Sequence, residues 1–190
     1  MKIVCIGSSL VNGFPVKRSE CWVSRWRSAS GHEIINKGVN GSTSLDMLSR
    51  FAQDVLSHKP DMVVMMSGTN DFLLKTSDPA KVAENFIAMC DQARMHDIIP
   101  VIATSIPVDV KMAAERWAVG AGFDYPQVRE DLAMLRKLLM DHAARNGISL
   151  IDFYGIYMEE LKKKDASDLY IDGIHPTAGG HRILADAVQL

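Results

Sequence analysis

Near its end the chain reads "YIDGIHPTAGGH", residues 170–181, and near its start "KIVCIGSSLVNG", residues 2–13. Asp172 and His175 stand three apart in a glycine-containing turn ahead of a helix-like segment. That spacing lets the carboxylate fold back onto the imidazole Nδ1–H and leaves Nε2 free to take a proton from elsewhere. Such a pair is a general base with its orienting acid, and it needs a nucleophile. Ser8 and Ser9 offer hydroxyls where an apolar run stops. A serine in that place equally serves as a turn or cap residue. Two motifs that would settle the matter are absent. G-x-G-x-x-G finds only Gly7 and Gly13, and G-x-S-x-G fails because Val11 stands where the last glycine belongs.

Two further segments carry suitable donors. In "SGTND", residues 67–71, Gly68 suits a close backbone approach, Asn70 offers an NH₂ group, and Asp71 is placed to cap the next segment of chain. In "NKGVNGSTS", residues 36–44, Gly38 and Gly41 permit unusual backbone angles, and the N–H of Gly41 lies just before a helix start. Taken singly, each segment reads as an ordinary turn. Taken together they supply a hydroxyl, a base, an orienting acid and three oxyanion donors, which are the parts of an acyl-transfer site.

These parts work only if the elements between them bring them to one place. Apolar runs at 2–6, 33–38, 61–66, 98–104 and 148–153 read as strands. They alternate with helix-period segments at 21–30, 43–58, 78–96, 126–146 and 176–190. In 43–58, Leu45, Leu48, Phe51, Ala52 and Val55 fall on one helical face. Strands apolar on both faces and alternating with helices predict an α/β fold, a three-layer α/β/α sandwich with a five-stranded parallel sheet. Ligands of such sheets bind beyond the carboxyl ends of the strands. The loops after 6, 38, 66, 104 and 153 are therefore the expected place for chemistry, and all four segments lie on that rim or in the closing loop. The one long irregular stretch, 105–125, has helical content expected around 109–118. It carries Met112, Trp117, Gly120, Gly122 and Phe123, a composition that fits a cover over an acyl group. No linker divides the chain, so a single domain over 1–190 is expected.

The combination resembles the GDSL-type, or SGNH, serine hydrolases. That family is defined by four ordered blocks, G-D-S-L, a glycine block, G-x-N-D and D-x-x-H. This chain has "GSSL" at 7–10, "NKGVNGSTS" at 36–44, "GTND" at 68–71 and "DGIH" at 172–175. The resemblance implies the flavodoxin-like SGNH hydrolase fold and a serine esterase. It implies Ser9 as nucleophile, His175 as base and Asp172 as orienting acid. The backbone N–H groups of Ser9 and Gly41 and the side chain of Asn70 would form the oxyanion hole. The implied substrate is a small-molecule ester or thioester, and no cofactor is implied. Carbohydrate O-deacetylases share the blocks, and a catalytically silent binding protein is a further alternative, because Ser8 replaces the aspartate of the first block.

Composition narrows the field around this reading. The chain has 190 residues, 47% of them hydrophobic and 23% charged, as expected of an ordinary globular protein. A net charge of -2 argues against nucleic acid as a partner. The run Lys162–Lys163–Lys164 is flanked by Glu159, Glu160 and Asp165 and reads as a solvated helix end. His32, His58, His96, His142 and His181 show no metal-ligand spacing, and His181 is expected to face solvent or pack on the last helix. Trp22 and Trp26, four apart, are expected in the core. Cys5, Cys21 and Cys90 read as buried free thiols. No apolar run reaches the ~20 residues of a membrane helix, so no integral membrane association is expected. Nothing resembles a signal peptide, and the expected location is cytoplasmic.

Overall fold

The computed structural model describes residues 1–117 and 122–189. Five parallel strands, β1 (Lys2–Gly7), β2 (Glu33–Gly38), β3 (Met62–Met66), β4 (Ile99–Ala103) and β5 (Ser149–Ile151), form one sheet in the order β2-β1-β3-β4-β5. Helices α1 (Ser9–Asn12) and α2 (Trp22–Ser30) follow β1. Next come α3 (Ser44–Ser49) and α4 (Phe51–Asp54) after β2, then α5 (Thr69–Leu73) and α6 (Pro79–Arg94) after β3. Helices α7 (Val110–Arg116) and α8 (Tyr125–Asn146) follow β4. Helices α9 (Phe153–Glu160), α10 (Ala166–Leu169) and α11 (Ala178–Asp186) close the described chain.

Because side chains alternate across a strand, each strand feeds two cores. Val4, Ile6, Val63, Met65 and Ile102 face Met47, Phe51, Phe86, Leu132 and Leu135 of α3, α4, α6 and α8. Ile3, Cys5, Val64, Met66 and Val101 face Trp22, Trp26, Phe153, Tyr157 and Leu184 of α2, α9 and α11. Trp22, Phe51 and Phe86 are fully buried, and burial of side chains of this size stabilises by about 1.5–3 kcal/mol each. The sheet is thus the middle of a three-layer α/β/α sandwich, as the alternating runs predict.

The expected helix over 43–58 is corrected. It breaks at Arg50 into α3 and α4, followed by a 3₁₀ turn at Leu56–His58. Arg50 turns inward and donates to the backbone carbonyls of Gly7 and Lys37, each at 2.9 Å. Met47, Phe51 and Val55 are buried, whereas Leu45 is 58% exposed and Ala52 is exposed. The last strand is also shorter than the run 148–153. The Asp152 carboxylate accepts the N–H of Gly155 at 3.1 Å and so starts α9 at Phe153. Arg136 grips the same carboxylate at 2.6 Å and holds α8 against the end of β5.

Strand register brings the loops into line. Gly7 pairs with Gly38 on one side and with Met66 on the other. The residues after β1, β2 and β3 therefore leave the sheet side by side. The chain moves from β1 outward to β2 and then crosses back to β3, so the sheet reverses its direction of growth at β1. A crevice forms at such a switch point.

Candidate active site

Ser9 is the first residue of α1, where the chain turns from β1 into a single helical turn. Its Oγ lies 3.0 Å from His175 Nε2. His175 Nδ1 lies 2.7 Å from Asp172 Oδ2. Asp172 Oδ1 accepts the backbone N–H groups of Ile174 at 2.9 Å and of His175 at 2.7 Å. Burial pushes the Asp172 carboxyl upward, but the hydrogen bonds from the His175 ring and backbone outweigh it and hold the group below the usual carboxylate range. An ionised Asp172 only accepts, so the proton sits on His175 Nδ1, and Nε2 is left to accept the Ser9 hydroxyl.

The turn that makes this possible depends on Gly173. Its φ is +85°, and a Cβ there would meet the backbone N of Ala113 at 2.4 Å. Ser9, Asp172 and His175 are all buried. The ring of Phe14 stands edge-on to His175 with centroids 5.0 Å apart, and Trp117 lies tilted against it at 6.5 Å. These rings flank the imidazole on the cavity side.

Ser9, Gly41 and Asn70, each with an N–H group, line one cavity. Among the described residues, the backbone N–H groups of Ser9 and Gly41 have no acceptor within the fold. Gly41 has a φ of +79°, the left-handed conformation that glycine favours. Gly38 has no such angle. Its role is to let α1 pass closely, since a Cβ would fall 2.1 Å from Asn12 N. Asn70 Nδ2 donates one hydrogen to the Ser42 carbonyl at 3.0 Å, which leaves its second hydrogen for the crevice.

Ser9, Gly41, Asn70 and His175 share one cavity of about 270 Å³ with Asn40 and the apolar side chains of Phe14, Leu73, Leu74, Trp117, Phe123 and Ile174. Met112, expected over an acyl group, is corrected. It packs against the core on the other face of the sheet, the one that holds Trp22 and Tyr170, because α7 turns that side inward. Gly120 lies outside the described residues. His181 is also corrected. It is fully buried, its Nδ1 accepts the Trp22 N–H at 3.4 Å, and burial pushes its imidazole down to about 4. It is a neutral core residue. Asp71 does not cap α5 from outside. It lies within that helix and turns its carboxylate onto Ser44 and Ser67. Burial pushes the Asp71 carboxyl above its usual range, and the hydrogen bonds from Ser44 and Ser67 oppose the rise.

Sequence reasoning missed Phe14, Leu73 and Leu74 as cavity walls. Each lies within a few residues of a motif position, and that nearness was the available signal. It also missed Arg50, whose two carbonyl contacts join the ends of β1 and β2. Burial pushes the thiols of Cys5, Cys21 and Cys90 up, so these cysteines are inert core groups. Lys162, Lys163 and Lys164 pair with Glu159 and Glu160 on the surface. No helix among the described residues is long and apolar enough to cross a membrane.

Comparison with known proteins agrees with the fold. A family model described as the GDSL-like lipase/acylhydrolase family matches residues 5–183. An uncharacterized lipoprotein of Bacillus subtilis (strain 168), YqeF, is 33% identical over 192 residues, which cover 90% of this chain and 79% of that one. An acetylxylan esterase of Geobacillus stearothermophilus is 26% identical over 157 residues, covering 83% of this chain and 70% of that one. Among solved structures, a member of the lipolytic protein G-D-S-L family from Veillonella parvula superposes with a TM-score of 0.83 at 21% identity, covering 98% of this chain and 95% of that one. Fold and comparisons define an ester hydrolase built on a parallel α/β sheet. The chain belongs to the GDSL-like lipase/acylhydrolase family.

Proposed function

We propose that this protein hydrolyses carboxylic esters through an acyl-enzyme on Ser9. The observation that carries this reading is the continuous chain of hydrogen bonds from Ser9 through His175 to Asp172, opening into an apolar cavity. Ser9 Oγ attacks the acyl carbon and passes its proton to His175 Nε2. Asp172 stabilises the imidazolium and holds its orientation. The tetrahedral oxyanion receives the N–H groups of Ser9 and Gly41 and the free hydrogen of Asn70 Nδ2. His175 then gives its proton to the leaving alcohol. In the second half, His175 takes a proton from water, whose oxygen attacks the acyl carbon. The proton returns to Ser9 as the acid departs.

Asn70→Ala is expected to lower kcat by about 10² to 10³ with little change in KM, because its donor bonds best to the charged oxygen of the transition state. Steady-state kinetics on p-nitrophenyl acetate measures this. A raised KM at unchanged kcat would assign Asn70 to ground-state binding instead.

The cavity walls favour an apolar acyl group. Trp117→Ala and Phe123→Ala are expected to shift the ratio of kcat/KM between octanoate and acetate esters by roughly tenfold, since one methylene contact is worth about 1–3 kcal/mol. Equal losses on both esters would mean that these rings only support the fold. The likeness to an acetylxylan esterase favours a second reading, a carbohydrate O-deacetylase. A panel of p-nitrophenyl esters from acetate to palmitate, run beside acetylated xylooligosaccharides, tests both. Longer acyl esters cleaved best supports the first reading, and acetate released fastest from the sugar supports the second.

A further inference from the structure

Asp71 touches none of the atoms that the proposed reaction rearranges, yet it is fully buried between the two loops that carry the oxyanion donors. Its Oδ1 accepts the Ser44 hydroxyl at 2.6 Å, and both carboxylate oxygens lie 3.0 Å from the Ser44 N–H. Its Oδ2 also accepts the Ser67 hydroxyl at 3.2 Å. The Ser44 hydroxyl in turn accepts Asn85 Nδ2, from α6, at 2.8 Å. Asn70, the residue before Asp71, donates to the Ser42 carbonyl. Two adjacent residues of α5 thus hold Ser42, in the loop after β2, and Ser44, the first residue of α3.

Gly41 comes immediately before the held segment. Nothing lies within 4 Å of the position its Cβ would occupy, so packing does not fix it on that side. The placement of its N–H relies on the hydrogen bonds next to it. Among the described residues Asp71 has no cationic partner, and burying a carboxylate is costly unless donors surround it. A neutral apolar residue would fill the same space more cheaply. The carboxylate adds a single point on which donors from Ser44 and Ser67 converge, tying α3 to the end of β3.

We propose that Asp71 is a positioning residue for ester hydrolysis, setting the separation of the Gly41 N–H from the Asn70 amide and thereby the fit of the oxyanion. This rests on the roles proposed for Ser9, Gly41 and Asn70.

Asp71→Asn keeps the shape and removes the charge. It is expected to lower kcat on p-nitrophenyl acetate by about 10- to 100-fold with KM nearly unchanged, the scale of a small misplacement of a reacting group. Activity is counted per site labelled with a fluorophosphonate, so a partly unfolded sample does not mimic the effect. An alkyl boronic acid, whose tetrahedral adduct places an oxygen among the same donors, should lose affinity in parallel. Combined with Asn70→Ala, Asp71→Asn should add little, because both act on one oxyanion. Ser44→Ala, which keeps the backbone N–H contacts, should lower kcat in the same direction by about threefold or more, as one of several converging bonds is lost.

A wild-type kcat per labelled site in Asp71→Asn, with only a lower melting temperature, would overturn the proposal. So would losses that multiply with Asn70→Ala, or a wild-type kcat in Ser44→Ala. These outcomes are distinct from a failure of the underlying reading, in which Ser9→Ala itself would retain activity.

Discussion

Ser9→Ala will lower kcat for ester hydrolysis by about 10⁴ to 10⁶, whereas Ser8→Ala will keep most of the activity. The two serines are neighbours at the end of β1, and their surroundings separate them. Ser9 Oγ is 3.0 Å from His175 Nε2. Ser8 precedes α1, is buried, and makes no side-chain capping bond to that helix. Only Ser9 opens into the cavity shared with Gly41, Asn70 and His175. The measurement is kcat on p-nitrophenyl acetate together with the rate of labelling by a fluorophosphonate. Loss of both in Ser9→Ala, with both kept in Ser8→Ala, is the expected result. The reverse pattern would place the nucleophile one residue earlier and remove the proposed role of His175 with it.

The sheet and its five strands are legible in the sequence because a buried parallel strand leaves a local mark, a short run apolar on both faces. The pairing of Asp172 with His175 is legible for the same reason, since a three-residue turn makes contacts that its own spacing discloses. What escapes sequence reading is long-range. Asp71 and Ser44 are 27 residues apart, and Asn85 and Ser44 are 41 apart, so no local period announces their bonds. Arg50 looks like any charged residue on a helix, yet it stands where that helix breaks and donates to the carbonyls of Gly7 and Lys37. His181 reads as a polar residue on a terminal helix. It is buried because α11 packs against α2, a contact made between the two ends of the chain. Composition alone groups Met112, Trp117 and Phe123. The structure separates them because α7 turns Met112 inward and leaves the two rings over the cavity.

His175→Ala is expected to match Ser9→Ala in severity, and the double variant Ser9→Ala/His175→Ala should be little worse than either alone. The two residues serve one proton transfer. Without His175 the Ser9 proton has no acceptor at 3.0 Å, and without Ser9 the imidazole has nothing to activate. Removing the second partner therefore takes away no further catalysis, and the residual rate comes from binding and the oxyanion donors. Asp172→Asn should cost somewhat less, on the order of 10⁴ or below. Its carboxylate, held ionised by the His175 ring and by the N–H groups of Ile174 and His175, dictates which ring nitrogen carries the proton. An amide in its place can present its NH₂ to Nδ1 and drive the proton to Nε2, which then no longer accepts from Ser9. Single-turnover rates of p-nitrophenol release from p-nitrophenyl acetate measure all four variants on one scale. Losses that multiply in the double variant would mean that Ser9 and His175 act in separate steps, and the hydrogen bond between them would then be structural.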